Sequence, residues 1–121
     1  IDVRDIAAVA VKALTEPNHT CKAYPLTGGE ALDYYQVAAI FSDVLRRPII
    51  YRNPSITAFV RRMRRRGFDA GFILVTLGIY TTARLGLAGT ITPHTATLLG
   101  RPPISMRQFV EDYRTCWAKS V

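Results

Sequence analysis

The fold is decided by the stretch Pro25-Leu26-Thr27-Gly28-Gly29-Glu30-Ala31-Leu32, which follows Ala23-Tyr24. Apolar residues lead into two consecutive glycines, and an amphipathic helix begins just beyond them. The pattern therefore predicts a buried strand that stops at a tight turn. In open α/β sheets, ligands bind at the carboxyl ends of the strands. Because no other long strand pattern flanks this one, we expect the chain to be part of a larger protein.

Other short patterns add elements of both kinds. Ile49-Ile50-Tyr51 is typical of a short strand, and Pro54 just beyond it favours an edge position. Helix N-terminal signals precede the apolar-periodic segments. These signals are Asp5, Asp33 with Gln36, Ser55, Asp69, Thr92 before Pro93, and Ser105 with Gln108. The predicted fold class is α/β and helix-rich, with two or three short strands and about six helices.

Composition indicates a globular protein. The chain has 121 residues, of which 49% are hydrophobic and 21% charged, and its formal net charge is +7. This length allows one domain with its own core, and the apolar fraction argues against disorder. The positive charge is compatible with nucleic acid, an anionic cofactor or an acidic partner, and charge alone does not choose among them.

Cysteine and histidine positions bear on metals and on location. Cys21 and Cys116 form no C-x-x-C pair, so neither a disulfide framework nor a zinc site is predicted, and reduced thiols favour the cytoplasm. His19 and His94 are isolated in the sequence, so no metal ligand is expected. No signal peptide is evident, and the strand-like start at Ile1 suggests a fragment.

The helix after Ser55 carries apolar residues on one side and arginines on the other. Its predicted buried face consists of Ile56, Phe59, Val60 and Met63. Its arginines are Arg61, Arg62, Arg64, Arg65 and Arg66. This pattern is typical of a solvated helix face, or of a contact with an acidic partner. A nucleic-acid surface is less favoured, because stacking aromatics and base-reading polar residues are not evident beside the arginines.

The next helix, predicted from residue 70 to about residue 87, is apolar around its whole circumference over residues 71–80. Arg84 interrupts the apolar run before it reaches the roughly 20 residues that a membrane span needs, so no membrane contact is expected. Such a helix must be covered, either by other parts of a parent protein or as the wall of an apolar pocket. If the chain folds alone, this face and unpaired strand edges predict self-association, including element swapping between copies.

The turn after the first predicted strand is a candidate ligand site. Glycines at 28 and 29 allow close approach of a ligand, and Tyr34 and Tyr35 offer ring faces and hydroxyls. A tight turn with ordinary helix packing explains the same residues equally well. The chain contains no G-x-G-x-x-G, no G-x-x-x-x-G-K and no G-x-S-x-G motif, so no phosphate loop and no catalytic residue are predicted.

The order of four segments resembles the C-terminal part of NmrA-like proteins, which are atypical short-chain dehydrogenase/reductase relatives that bind NAD(P). The segments are Ile1-Asp2-Val3-Arg4-Asp5-Ile6-Ala7, Lys22-Ala23-Tyr24-Pro25-Leu26-Thr27-Gly28, Arg47-Pro48, and Leu98-Leu99-Gly100-Arg101-Pro102-Pro103 before Phe109-Val110. The resemblance covers essentially the whole chain. It implies that residues 1–47 are late elements of a Rossmann domain and that residues 48–121 are a helical substrate-binding lobe.

Within that resemblance, Thr27 and Gly28 lie near the cofactor cleft, and Phe72 and Tyr80 face it from the lobe. Together with Tyr34 they form the predicted cofactor and substrate contacts. The resemblance implies NAD(P) in the parent, held by an N-terminal Rossmann portion. Because the glycine-rich loop is absent here, we expect this chain alone to bind no dinucleotide and to be inactive.

Three hypotheses on function follow. The first is the substrate-side portion of an NAD(P)-dependent oxidoreductase, quinone reductase-like, in which the cofactor supplies the hydride chemistry. The alternative is a cofactor-sensing regulator of the same family that binds a protein partner through its arginine-rich helix. The second alternative, a basic nucleic-acid-binding domain, predicts affinity that falls steeply with salt.

Overall fold

The computed structural model describes residues 1–117, and these residues form helices joined by turns and extended loops. The helices are α1 (Val3–Thr15), α2 (Tyr34–Leu45), α3 (Ile56–Arg65), α4 (Ala70–Arg84), α5 (His94–Leu99), α6 (Met106–Asp112) and α7 (Arg114–Trp117). Within residues 1–117 there is no β-strand. The prediction of an α/β fold with two or three strands of a Rossmann sheet is therefore wrong.

The predicted strands failed because no neighbouring strand completes a backbone ladder. The segment that ends at Thr27 is held by side chains instead: the Thr92 hydroxyl donates to the carbonyl of Pro25. At the second predicted strand, the backbone N–H of Ile49 donates to Ser42 Oγ at 2.8 Å. Hydroxyl groups thus replace the strand partner that an extended backbone otherwise requires. Self-association, which was predicted from strand edges and from the apolar face of residues 71–80, stays a prediction.

Four predicted helix starts are confirmed, at Asp33, Ser55, Asp69 and Ser105. Asp33 accepts from the backbone N–H of Gln36 at 2.7 Å, and the Gln36 side chain accepts from the Asp33 N–H at 2.8 Å, which completes a capping box for α2. Ser55 caps α3 and Asp69 caps α4 in the same way, through single hydrogen bonds to the first turn. These local signals act within four residues, and they were sufficient to place the helices.

Two other predicted caps are wrong. The N-cap of α1 is Asp2, which accepts from the backbone N–H of Arg4 at 2.8 Å, whereas Asp5 lies inside the helix and is fully buried. Helix α5 begins after Pro93 without a side-chain cap, because the Thr92 side chain and N–H are engaged with the segment at residues 25–27. In both cases the polar side chain forms a hydrogen bond with a residue distant in the sequence instead of capping the helix.

The predicted last helix is divided into α6 and α7. Ser105 caps α6 as predicted, accepting from the Gln108 N–H at 3.2 Å. The Gln108 side chain does not close the capping box and donates instead to Asp112 at 2.7 Å. Val110 of α6 is fully buried, whereas Tyr113 and Trp117 are exposed.

The chain divides into two compact units. The first unit contains Ile1–Ile50 together with the segment that follows from residue 91, and the second contains Tyr51–Thr90. In the first unit α1 packs on α5, and α2 packs on α6 and α7. Its buried apolar side chains are Val9, Val44 and Val110. The predicted division into a Rossmann part, residues 1–47, and a substrate-binding lobe, residues 48–121, stays a prediction.

The second unit is a helical hairpin in which α3 packs on α4. Gly67, with φ of +83°, ends the first helix in the left-handed conformation that favours glycine. Phe59 and Tyr80 meet edge to face with ring centroids 5.5 Å apart. Ile73 is the buried apolar side chain of α4, whereas much of that helix stays exposed. The face predicted for α3 is only half buried, and Ile56 at its start is exposed.

Candidate functional site

Thr27 is fixed by two threonines at the start of α5. Its hydroxyl donates to the carbonyl of Thr92 at 3.2 Å and accepts from the backbone N–H of Thr92 at 2.9 Å. Its own carbonyl accepts from the hydroxyl of Thr95 at 2.8 Å, and Thr95 is fully buried. The proton and one lone pair of the Thr27 hydroxyl are therefore already used within the protein. Within the described residues, Thr27 therefore anchors the turn.

Gly28 lies against the backbone of Ile1. A Cβ atom at this position would be 3.3 Å from the backbone nitrogen of Ile1 and 3.5 Å from its Cα. Such a distance is tighter than ordinary van der Waals contact, so the missing side chain allows this close approach. The two residues predicted to contact a cofactor thus both have packing roles, and their contact with a cofactor stays a prediction.

The predicted pocket residues lie in both units. Tyr34 is the first residue of α2 in the first unit and is half exposed. Phe72 and Tyr80 are on α4 in the second unit, with 47% and 45% of their surfaces exposed. Phe72 stacks on Phe68 with ring centroids 4.8 Å apart and planes 15° apart. Their joint role as a substrate pocket stays a prediction.

An ion pair that was not predicted joins the buried Asp5 of α1 to Arg101, whose side chain is half exposed. One carboxylate oxygen of the fully buried Asp5 accepts from Arg101 Nη2 at 2.7 Å, and the other accepts from the backbone N–H of Ile104 at 2.7 Å. One sequence signal could have indicated this pair. Asp5 lies only three residues after the Asp2 cap, so it is not needed as a cap, and Arg101 precedes a Pro-Pro pair. Since a buried charge needs a partner, Asp5 fixes the loop between α5 and α6 on α1.

The guanidinium of Arg4 adds further links in the first unit. Arg4 donates to Asp2 at 2.8 Å and to Asp112 at 2.6 Å, and its guanidinium lies 5.4 Å from the centre of the Tyr113 ring. Hydrogen bonds from Arg4 lower the pKa of Asp2. The side-chain amide of Gln108, and then Arg4, lower the pKa of Asp112.

The same holds between α2 and α6. Arg107 donates to Asp43 at 2.6 Å, and this hydrogen bond lowers the pKa of the Asp43 carboxyl. These exposed pairs orient α6 on its neighbours, although each is worth little in free energy.

The chain contains no G-x-G-x-x-G or G-x-x-x-x-G-K motif of the kind that cradles a pyrophosphate at a helix N-terminus, and Thr27 and Gly28 make internal contacts. That this chain alone binds no dinucleotide stays a prediction. Among residues 1–117, no three acidic, histidine or cysteine side chains are grouped as metal ligands. None of the helices in that range has the length and apolar character to cross a bilayer.

Comparisons with known proteins relate the chain to redox enzymes. It is 33% identical over 111 residues to an NAD(P)H azoreductase of Xenophilus azovorans, covering 92% of this chain and 39% of the azoreductase. It is 30% identical to a (4-alkanoyl-5-oxo-2,5-dihydrofuran-3-yl)methyl phosphate reductase of Streptomyces griseus subsp. griseus, covering 98% of this chain and 42% of that protein. An agroclavine dehydrogenase of Claviceps fusiformis is 29% identical, over 97% of this chain and 40% of its own.

The chain therefore spans about two fifths of the length of these relatives. No protein-family model matches it, so the resemblance to NmrA-like proteins stays a prediction. No solved structure matches it either. Over nearly its whole length, this chain is related to a portion of NAD(P)H-dependent and other oxidoreductases.

Proposed function

We propose that this chain is the substrate-side, C-terminal portion of a longer NAD(P)H-dependent oxidoreductase that reduces quinones or similar planar electrophiles. The observation that carries the proposal is the similarity to an NAD(P)H azoreductase over 92% of the chain. An azo compound, like a quinone, is a planar acceptor of two electrons, and a reductase of one class needs flat apolar walls that suit the other.

Within the oxidoreductases, we place the parent among the NmrA-like proteins. The segments that carry this resemblance include those around Asp5 and Arg101, which lie 96 positions apart in the sequence. Their side chains meet at 2.7 Å and fix one unit. This contact between two of the segments that resemble the family supports the view that both belong to the family's fold.

Aromatic side chains are this chain's contribution to the proposed substrate site. Phe72 and Tyr80 on α4 are each about half exposed. A substrate contact of Tyr34, on α2 of the first unit, stays a separate prediction. Aromatic rings favour offset stacking or edge contacts with planar partners. The exposed apolar side chain of Val75, three residues after Phe72 and on the same side of α4, would exclude water from such a partner.

The cofactor, in this proposal, is held mainly by an N-terminal portion of the longer protein, with Thr27 and Gly28 near its cleft. The support is that the chain contains no G-x-G-x-x-G motif to cradle a pyrophosphate. We therefore expect NADPH titrated into the isolated chain to release no measurable heat. Micromolar affinity of the chain alone would contradict this part of the proposal.

A chimaera tests the function directly. This chain replaces the segment of the Xenophilus azoreductase to which it is similar, and oxidation of NADPH is followed with menadione and with an azo dye. We expect turnover of at least one acceptor. Binding of NADPH to the chimaera, measured separately by fluorescence, reports whether it is folded. A folded, NADPH-binding chimaera without turnover on either acceptor would contradict the proposal.

Two substitutions in the chimaera test the aromatic wall. Phe72→Ala should lower kcat/KM by about tenfold, because it removes a stacking face in the proposed pocket. Leu87→Ala is the matched control, since it removes an apolar side chain of the same unit that is 71% exposed. Equal losses in the two variants would show that Phe72 has no particular role in substrate binding.

A further inference from the structure

The positive charge of the protein is concentrated in the second unit. Residues 51–90 contain seven arginines and a single acidic residue, Asp69. The described part of the first unit contains equal numbers of acidic and basic residues. Almost all of the net charge of +7 is therefore carried by forty residues. This asymmetry goes beyond what the proposed redox function explains.

Helix α3 holds most of these charges on its outer face. Arg61 and Arg65 are one turn apart, with Arg62 and Arg64 to either side, and all four are exposed. Like charges four residues apart destabilise a helix. The ion pairs formed among residues 1–117 join side chains of the first unit, and Asp69 is engaged as the cap of α4. Nothing acidic in the described second unit offsets the repulsion.

An open cleft of about 580 Å³ runs along this face. Its lining is Ile56, Thr57, Val60, Arg61, Arg64 and Arg65. Two aliphatic side chains thus lie directly beside three guanidinium groups. A ligand that fits this lining carries negative charge and also presents small apolar groups.

We propose that this arginine face of α3 docks an acidic segment of another protein, with carboxylates one helical turn apart and aliphatic residues between them. Arginine binds carboxylates through two parallel hydrogen bonds, which gives such a contact defined geometry. The spacing of Arg61 and Arg65 matches carboxylates four residues apart on a partner helix. Ile56 and Val60 would receive the partner's aliphatic side chains.

The alternatives fit this face less well. The residues that line the cleft include no aromatic side chain on which bases could stack, and Phe59 of α3 packs against Tyr80. A membrane-surface helix needs its apolar stripe to face the lipid. Phe59, in the middle of that stripe, instead packs against Tyr80 of α4.

Fluorescence anisotropy with a labelled synthetic peptide that repeats Leu-Glu-Glu-Ala tests the proposal on the full chain. The triple variant Arg61→Gln, Arg62→Gln, Arg65→Gln should weaken peptide binding by about tenfold or more. The matched control Lys22→Gln, Arg52→Gln, Arg84→Gln removes the same charge elsewhere and should weaken it by about twofold at most. Circular dichroism checks that both variants keep their helix content.

Three results would overturn the proposal. The first is absence of peptide binding at low salt, and the second is an equal loss of affinity in the two triple variants, since net charge alone would then explain binding. The third is tighter binding of a single-stranded oligonucleotide, or of vesicles of equal parts phosphatidylserine and phosphatidylcholine, at the same ionic strength. The variant Arg61→Lys, Arg62→Lys, Arg65→Lys, which retains charge without the planar fork, should bind the peptide with intermediate affinity.

Discussion

The two units are stabilised in different ways. The first is crossed by polar contacts between residues far apart in the sequence, such as Asp5 with Arg101 and Thr27 with Thr95. The second has a helix pair in which Ile73 is the buried apolar side chain and α4 leaves large apolar side chains exposed. Hydrogen bonds between buried polar groups favour a single arrangement of the first unit. The second unit buries few apolar side chains and leaves an apolar surface exposed. The first unit is therefore expected to respond sharply to single substitutions, and the second to respond weakly.

The largest expected effect is at the buried carboxylate of Asp5. Asp5→Asn should lower the free energy of unfolding by about 3 kcal/mol, because Arg101 and the Ile104 N–H lose a charged acceptor. Urea unfolding followed by circular dichroism measures this loss. Glu30→Gln, at an exposed position of the same unit, is the control and should change stability by less than about 0.5 kcal/mol. Similar values for the two variants would refute the structural role of Asp5.

The same substitution in both units should give different results. Thr95→Val removes the hydrogen bond from a fully buried hydroxyl to the Thr27 carbonyl and should cost about 1–2 kcal/mol. Thr81→Val removes a bond from an exposed hydroxyl to the carbonyl of Leu77 within α4 and should cost about 0.5 kcal/mol or less. Thermal and urea unfolding of the two variants provide the comparison. A larger loss of stability in Thr81→Val than in Thr95→Val would contradict the expectation that the first unit is the more sensitive to single substitutions.

Glycine to alanine changes should differ in sign. Gly78→Ala lies inside α4 with no atom within 4 Å of the added methyl group, so it should stabilise the second unit by about 0.5–1 kcal/mol. Gly28→Ala places its methyl group 3.3 Å from the Ile1 backbone and should give no gain. Equal stabilisation by both changes, measured by urea unfolding, would show that the contact at Gly28 imposes no constraint.

Acid should weaken the first unit slightly. The pKa values of Asp2, Asp43 and Asp112 are lowered in the native state by their hydrogen bonds with arginine and glutamine. The unfolded chain therefore takes up protons first, near pH 4. The stabilisation is fully present above that pH and is lost as the pH falls through the lower native pKa values. The urea midpoint between neutral and acid pH measures the loss.

The matched variant is Asp43→Asn, which should reduce this dependence on pH, because the carboxylate bound by Arg107 no longer titrates. The effect is small, since both side chains are largely exposed to solvent and screened by salt. An unchanged pH profile in this variant would mean that the pair contributes nothing to stability.

Sequence patterns predicted what depends on neighbouring residues. The caps at Asp33, Ser55 and Asp69 act within one turn, so their helices were placed correctly. The strand at residues 22–26 was predicted from apolar residues before a turn, but a strand also needs a partner that this pattern cannot supply. Apolar pattern indicates which residues avoid water, and it does not distinguish a ladder from an extended loop.

The candidate site shows the same limit. The roles of Asp5 and Thr92 were misjudged because their partners, Arg101 and Thr27, are 96 and 65 positions away. Each was interpreted as a helix cap, which is the local role for such a residue. Thr27 and Gly28 were singled out for a ligand, and the contacts found there are internal. The sequence alone does not show whether a polar side chain caps its own helix or binds a residue far along the chain. The three-dimensional structure shows which of the two occurs.

The first unit is discontinuous along the chain: it closes through residues before position 51 and after position 90. The forty residues between them form an insertion in the topological sense. Changes in the length or composition of that insertion leave every pairing around Asp5 and Thr95 untouched. The hairpin can therefore change without disturbing the contacts that hold the first unit together.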